Sequence, residues 1–161
     1  MNIFLLDYNI QKCAQYHCDR HVVKMCIEYA QLLSSVHRML GNDVGYQLTH
    51  KNHPCAVWAR TSLENYLWLT ELTFELGDEY THRYGKYHKS ISLVDDLPIP
   101  KLPELGLTPF PKCVADDLKS ISDPVEAYRQ YYIRDKASFC TWKNRDIPEW
   151  FKNESPLQTK S

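Results

Sequence analysis

The chain has 161 residues, 19 Lys plus Arg against 20 Asp plus Glu, and a net charge of −1 with His neutral. That length predicts one domain, and a composition 43% hydrophobic and 24% charged excludes a wholly disordered chain, a collagen-like repeat and a highly basic chromatin-type protein. Only 5 glycines accompany 11 Tyr, 5 Phe and 4 Trp, which disfavours a hairpin-rich all-β fold and a Gly-rich phosphate loop.

No apolar run approaches the roughly 18 residues that a membrane-spanning helix needs. The opening MNIFLLD has no basic region and meets Asp7, unlike a signal peptide. A cytoplasmic location is therefore expected, with no membrane partner. The cysteines fall at 13, 18, 26, 55, 113 and 140, without a CxxC pair. They read as reduced thiols, mostly small core residues, rather than as a zinc ribbon or a disulfide framework.

In chain order, residues 3–6 are a short apolar run, either a small strand or a lead-in to a helix, and Asp7 and Asn9 are able to cap the helix after them. Residues 10–40 carry helical spacing: Val22, Met25, Cys26, Tyr29, Leu33, Val36 and Leu40 recur at three and four. The length suggests two helices, and Gly41 a stop. Asn52-His53-Pro54 reads as a helix start. The pattern then runs to about Tyr84, with a possible break at Thr61, three before Glu64 in capping-box spacing. Gly85 suits its end. Residues 86–97 suggest a short helix, and the proline-rich 98–111 a loop packed across the body. Asp123-Pro124-Val125-Glu126 starts a further helix to about Cys140. The expectation is a mainly α, compact helical bundle over residues 1–152, with 153–161 a frayed tail.

Three constellations carry possible chemistry. On the first long helix His17, Lys24, Glu28 and Gln31 form a polar stripe beside the apolar face, with His21 at its edge. A Glu next to a Lys and a His at such a boundary can orient an amine, accept a proton or stabilise a positive sugar-like transition state. It also fits a solvated helix edge. His17 and His21 share metal-ligand spacing, and Glu79 with His82 adds an ExxH; helix-end histidines also serve as caps. Glu64, Glu71, Glu75, Asp78 and Glu79 suggest a solvated acidic face. For nucleic acid, His53 and Arg60 flank a helix start. Tyr128, Tyr131, Tyr132, Arg134, Lys136, Trp142, Lys143 and Arg145 interleave aromatics with cations, although the three tyrosines equally fit a core stripe. No cofactor is expected.

CDRHVVKMCIEYAQLL, residues 18–33, resembles the active-site helix of the pyrimidine-dimer DNA glycosylase/AP-lyase family: an Asp, a His two residues on, an apolar pair, and a Glu seven after the His. The THKNHPCAVWAR stretch and the long helix ending at RYG look like the HP…(W/F)…R segment of its bacterial relatives. NHPCAVWAR, DEYTHRYGK and DPVEAYRQYY resemble uncharacterised tailed-phage proteins. The resemblance implies DNA as substrate, Glu28 as catalytic acid, His21 as support for the sugar–phosphate, and an N-terminal α-amine as nucleophile, with Lys24 a second amine on the same stripe. An amine attacks the sugar C1′, displaces the base as an imine forms, and permits strand cleavage by elimination.

Two positions depart from the family. Residue 2 is Asn, larger than the residues that usually allow Met excision, which leaves Met1 as the terminal residue. Ile27 stands where the family places an Arg before its Glu. The leading expectation is a phage DNA-processing protein acting on a damaged or modified base. The alternatives are a metal-dependent helical enzyme using His17, His21, Glu79 and His82, or a non-enzymatic protein binding a host or phage factor.

Overall fold

Residues 3–6 form neither strand nor helix. In the computed structural model, which describes residues 1–154, they thread through the core, each at most 5% exposed. A buried backbone needs partners for its N–H groups. Here side chains supply them: the Phe4 amide donates to Tyr29 OH at 3.1 Å and the Leu6 amide to Cys13 Sγ at 3.4 Å.

The 10–40 pattern divides into α1 (Ile10–Tyr16) and α2 (Asp19–Met39). Asn9 caps α1 by accepting the Lys12 amide. The break falls at His17 and Cys18, so His17 leaves the polar stripe predicted for it. It is fully buried instead, with Nδ1 2.7 Å from Cys13 O and Nε2 2.8 Å from Tyr29 OH. The carbonyl requires the proton on Nδ1, which leaves Nε2 to accept from the tyrosine.

The second pattern divides into α3 (Pro54–Thr61) and α4 (Leu63–Tyr84). The cap between them is Ser62, which accepts the Asn65 amide, rather than the predicted Thr61. Gly85 closes α4 in the left-handed region at φ 69°, where a Cβ would be strained. The short helix expected within 86–97 is α5 (Lys89–Asp95). After the proline-rich loop and a 3₁₀ turn at Asp116–Leu118 comes α6 (Pro124–Tyr131). Beyond it the helix expected to reach Cys140 changes pitch, to a π turn at Tyr132–Lys136 and a 3₁₀ turn at Ala137–Phe139. The last helix, α7, spans Glu149–Glu154. The tail expected from 153 thus begins inside this helix, and 155–161 lie outside the described residues.

Among the described residues there is no strand, and no helix is long and apolar enough to cross a membrane. The fold is an all-helical bundle: α3, α4 and α5 pack on α2, and α1 packs on α4. Val22, Met25, Cys26, Tyr29, Leu33 and Val36, the predicted stripe of α2, are all buried, whereas Leu40, just past the helix, is exposed. All six cysteines are free.

Glu79 alone leaves the expected acidic face of α4, where Glu71 and Asp78 are exposed and Glu64 and Glu75 half-buried. Glu79 is 3% exposed and lies between two guanidinium groups: Arg83 Nε donates to it at 2.8 Å and Arg145 Nη2 at 2.9 Å. Arg83, itself buried, also donates to Asp19 Oδ1 at 3.0 Å and to Gln15 O at 2.9 Å. Asp19 further accepts from Thr141 Oγ1 and the Lys143 amide. This network pins the start of α2 to the end of α4 and to the chain at 141–145.

His17 makes stability depend on pH. Burial pushes its imidazole down to about 3 from 6.5. Between those values the unfolded chain binds a proton that the folded chain does not, so stability falls as pH falls through that window. At about 1.4 kcal/mol per pH unit, lowering the pH from 7 to 5 should remove about 2 kcal/mol on account of His17. Urea denaturation at the two pH values measures this. His17→Gln should flatten the dependence, and an unchanged slope in that variant would contradict the assignment.

Candidate active site

One wall of a small cleft, of about 170 Å³, is the exposed edge of α2, and the other is built from the chain start and the π turn. Met1, Asn2, Phe4, His21, Lys24, Met25, Glu28, Tyr131 and Lys136 line it. The four residues predicted from sequence to carry the chemistry, Met1, His21, Lys24 and Glu28, therefore meet in one place. A wider cleft of about 670 Å³ beside Gln15, Tyr16 and residues 144–149 contains none of them.

The helical repeat explains the grouping. Arg20, Lys24 and Glu28 follow at intervals of four and share a face of α2. His21, one position round, points toward the core margin and is held on every side. Phe4 stacks on its ring at 4.2 Å, Phe139 meets it edge-on at 5.6 Å, and Nδ1 lies 2.6 Å from Tyr132 OH. Tyr132 OH also accepts the Cys18 amide at 3.3 Å, so it donates its own proton to His21 Nδ1. That bond uses the lone pair of Nδ1 and leaves the N–H on Nε2.

Glu28 is the centre of the cleft. Its Oε1 is 3.1 Å from the α-amine of Met1, and its Oε2 is 3.6 Å from Lys24 Nζ. The carboxylate is 13% exposed, the Met1 side chain 3% and Lys24 64%. Oε2 is buried and makes no hydrogen bond. Such an orphan typically costs about 1–3 kcal/mol, and buried carboxylate oxygens are otherwise almost always paired. The cleft thus keeps one oxygen on the amine and one without a hydrogen bond, facing Lys24 at longer range.

Asn2 fixes the terminus from behind. Its Nδ2 donates to Cys113 O at 2.8 Å, and its Oδ1 accepts the Ile3 amide at 2.8 Å and lies 2.8 Å from Tyr128 OH. These bonds occupy residue 2 and bring the amine of residue 1 against Glu28. The departure at Asn2 is thereby absorbed by the fold. Ile27, the other departure, is 39% exposed; the cations at the cleft are Lys24 and Lys136 instead.

The predicted nucleic-acid contacts separate. Lys136 lines the cleft, its Nζ 4.8 Å from the centre of the Tyr131 ring. Lys143 is exposed and sits over Tyr84. Trp142 is buried, and its Nε1 donates to Tyr16 O at 2.9 Å; it is a core residue with no free face for a base. Arg145 is held by Glu79, so its charge is already compensated. Tyr128 and Tyr132 are likewise core, while Tyr131 is half-buried at the cleft. Arg134 pairs with Asp117 and Asp135. His53 caps α3 by accepting the Cys55 amide, and Arg60 donates to Lys51 O.

The metal-ligand set His17, His21, Glu79 and His82 does not assemble. His17 is bonded within the core, Glu79 within the arginine pair, and His82 Nε2 lies 3.0 Å from Asn144 O. Among the described residues a different group, His53, Cys55 and Cys113, has metal-type donors in reach of one another.

Phe4 and Tyr131 line the cleft, and buried Tyr132 braces His21 behind it, places that the sequence pattern does not assign to them. Phe4 lies in an apolar run with no periodic signal, and the tyrosines share a helical pattern with buried Tyr128.

A terminal amine held against a half-buried carboxylate, on a helical scaffold and flanked by cations, is equipment for covalent imine chemistry on an anionic substrate. The chain belongs to the pyrimidine dimer DNA glycosylase family, whose profile matches residues 1–92, more than half of its 161 residues. The match takes in Met1, His21, Lys24 and Glu28 and stops short of Tyr131 and Lys136. Comparison with curated proteins and with solved structures gave no match.

Proposed function

We propose that the chain releases a damaged pyrimidine from DNA and then cleaves the strand at the resulting abasic site. The observation that carries this reading is the 3.1 Å approach of the Met1 amine to Glu28 Oε1, beside a second carboxylate oxygen that makes no hydrogen bond.

The amine, as a neutral lone pair, attacks C1′ of the damaged nucleotide. The C1′–N bond breaks, and the base leaves the sugar with the bonding pair and takes a proton from water; in a dimer it stays joined to its neighbour through the cyclobutane ring. Glu28 Oε1 accepts the proton that the amine sheds. Before that transfer the ionised Glu28 stabilises, through Oε2, the positive charge that develops at the sugar, and burial of this oxygen strengthens the attraction. Ring opening gives the imine between the terminal nitrogen and C1′. Loss of a C2′ proton then expels the 3′ phosphate oxygen, and water hydrolyses the imine to restore the amine. His21 contacts the sugar–phosphate through its protonated Nε2. Lys24, Lys136 and Arg20 meet the backbone phosphates at the mouth, giving a net charge of −1 a local positive border.

The likeness to tailed-phage proteins supports a phage-encoded role inside the host cell. The direct test is incubation with duplexes carrying a single cyclobutane pyrimidine dimer, alongside undamaged duplexes. Scission confined to the lesion strand is expected. Neither base release nor scission on either duplex would contradict the reading.

A further inference from the structure

Beside the terminus, where Asn2 bonds to the Cys113 carbonyl, three soft donors converge. His53, Cys55 and Cys113 each offer a ligand atom, and these atoms lie within 4.8 Å of one another. The Cys55 and Cys113 sulfurs are 3.8 Å apart and belong to no disulfide. We propose that His53, Cys55 and Cys113 form a binding site for a thiophilic divalent cation of the zinc class, which ties the chain start to α3.

The spacing favours a metal over its rivals. In a tetrahedral centre with metal–sulfur bonds of about 2.3 Å, two thiolates stand about 3.8 Å apart. The present pair already has that separation. A disulfide needs the sulfurs at about 2.05 Å and makes no use of an imidazole. Two of the donors come from the entry to α3, His53 at its cap and Cys55 in its first turn; the His53 lone pair that now accepts the Cys55 amide would pass to the ion. The third arrives from a stretch 58 residues further on. Cys55 is buried while His53 and Cys113 are half-buried, so the group is sheltered yet open to an ion. Three protein ligands leave a fourth position that water can fill.

The position of Cys113 gives the site a consequence. Its carbonyl accepts from Asn2 Nδ2, and its amide donates to Tyr128 OH at 3.0 Å. An ion on Cys113 would therefore brace the residue that anchors Asn2, and so the terminus. The role is structural and takes no part in the reaction proposed above.

The test uses Co²⁺ alone as the probe, added to the fully reduced protein. One equivalent should give thiolate-to-cobalt charge-transfer absorption together with the intense visible bands of tetrahedral Co²⁺, and Zn²⁺ should displace both. Cys113→Ser and, separately, His53→Gln should weaken binding by more than about 100-fold, beyond the usual effect of losing an outer partner of a metal ligand. His53 is half-buried, so its variant gives the answer should Cys113→Ser fail to fold. Cys140→Ser, which removes a thiol outside the group, should leave the spectrum and the affinity unchanged. Absence of the charge-transfer band, its survival in both ligand variants, or its loss in Cys140→Ser would overturn the proposal. None of these results depends on DNA cleavage.

Discussion

Glu28→Gln should slow base release by roughly 10²–10⁴-fold, the usual loss for a positioned acid–base group. The amide keeps the size of the carboxylate but cannot take the amine's proton, and it places no negative charge beside the sugar. The fold should survive, because the amide oxygen can still accept from the Met1 amine that Oε1 now holds. The carboxylate Oε2 has no hydrogen-bond partner, and its contact with Lys24 is made at an exposed surface. Such i,i+4 pairs contribute only about 0.3–0.5 kcal/mol. The melting temperature is thus expected to hold or rise while activity falls, as at sites where function is kept against stability. Single-turnover scission of dimer-containing DNA, with thermal unfolding of the same sample, measures both. A rate within threefold of the parent protein would remove Glu28 from the chemistry.

Arg83→Met should produce the largest loss of stability, about 3–5 kcal/mol, the usual cost of breaking a buried ion pair from one side. Arg83 lies fully inside and reaches Glu79, Asp19 and Gln15 at once. Its removal leaves Glu79 with Arg145 alone, and Asp19 at the start of α2 without its cation. Burial by itself would raise the Glu79 carboxyl, but hydrogen bonds from Arg145 and Arg83 outweigh it and hold the group below its usual range. Its contribution is present above the unfolded value near 4.5 and is lost as pH falls through the lower folded value. At neutral pH the variant should melt lower by about 10 °C. A drop under about 2 °C would contradict the weight given to this network.

Helix periodicity made the bundle legible. Val22, Met25, Cys26 and Tyr29 give the buried face of α2, and the same wheel sets Lys24 and Glu28 beside it. Asn9, His53-Pro54, Gly85 and Asp123-Pro124 marked helix ends because capping is local chemistry. What stayed hidden depends on contacts between distant residues. His17 fits the polar stripe by spacing, yet α1 ends there and Tyr29 claims the ring. Glu79 reads as one acid among several on α4 until Arg145, 66 residues away, folds onto it. Trp142 and Arg145 look like a basic aromatic patch because sequence shows composition, not burial. Tyr132 and Phe4 frame His21 from opposite ends of the chain.

The central claim is that the α-amine of residue 1, not a lysine, is the nucleophile. Borohydride reduction during turnover on abasic DNA converts the imine to a stable secondary amine, which peptide mass analysis then locates. The adduct should lie on the terminal nitrogen of the tryptic peptide ending at Lys12, and it should persist in Lys24→Ala. Extending the chain ahead of Met1 should abolish it, because the added residues carry the amine away from Glu28. An adduct on Lys24, or one that survives the extension, would contradict the account.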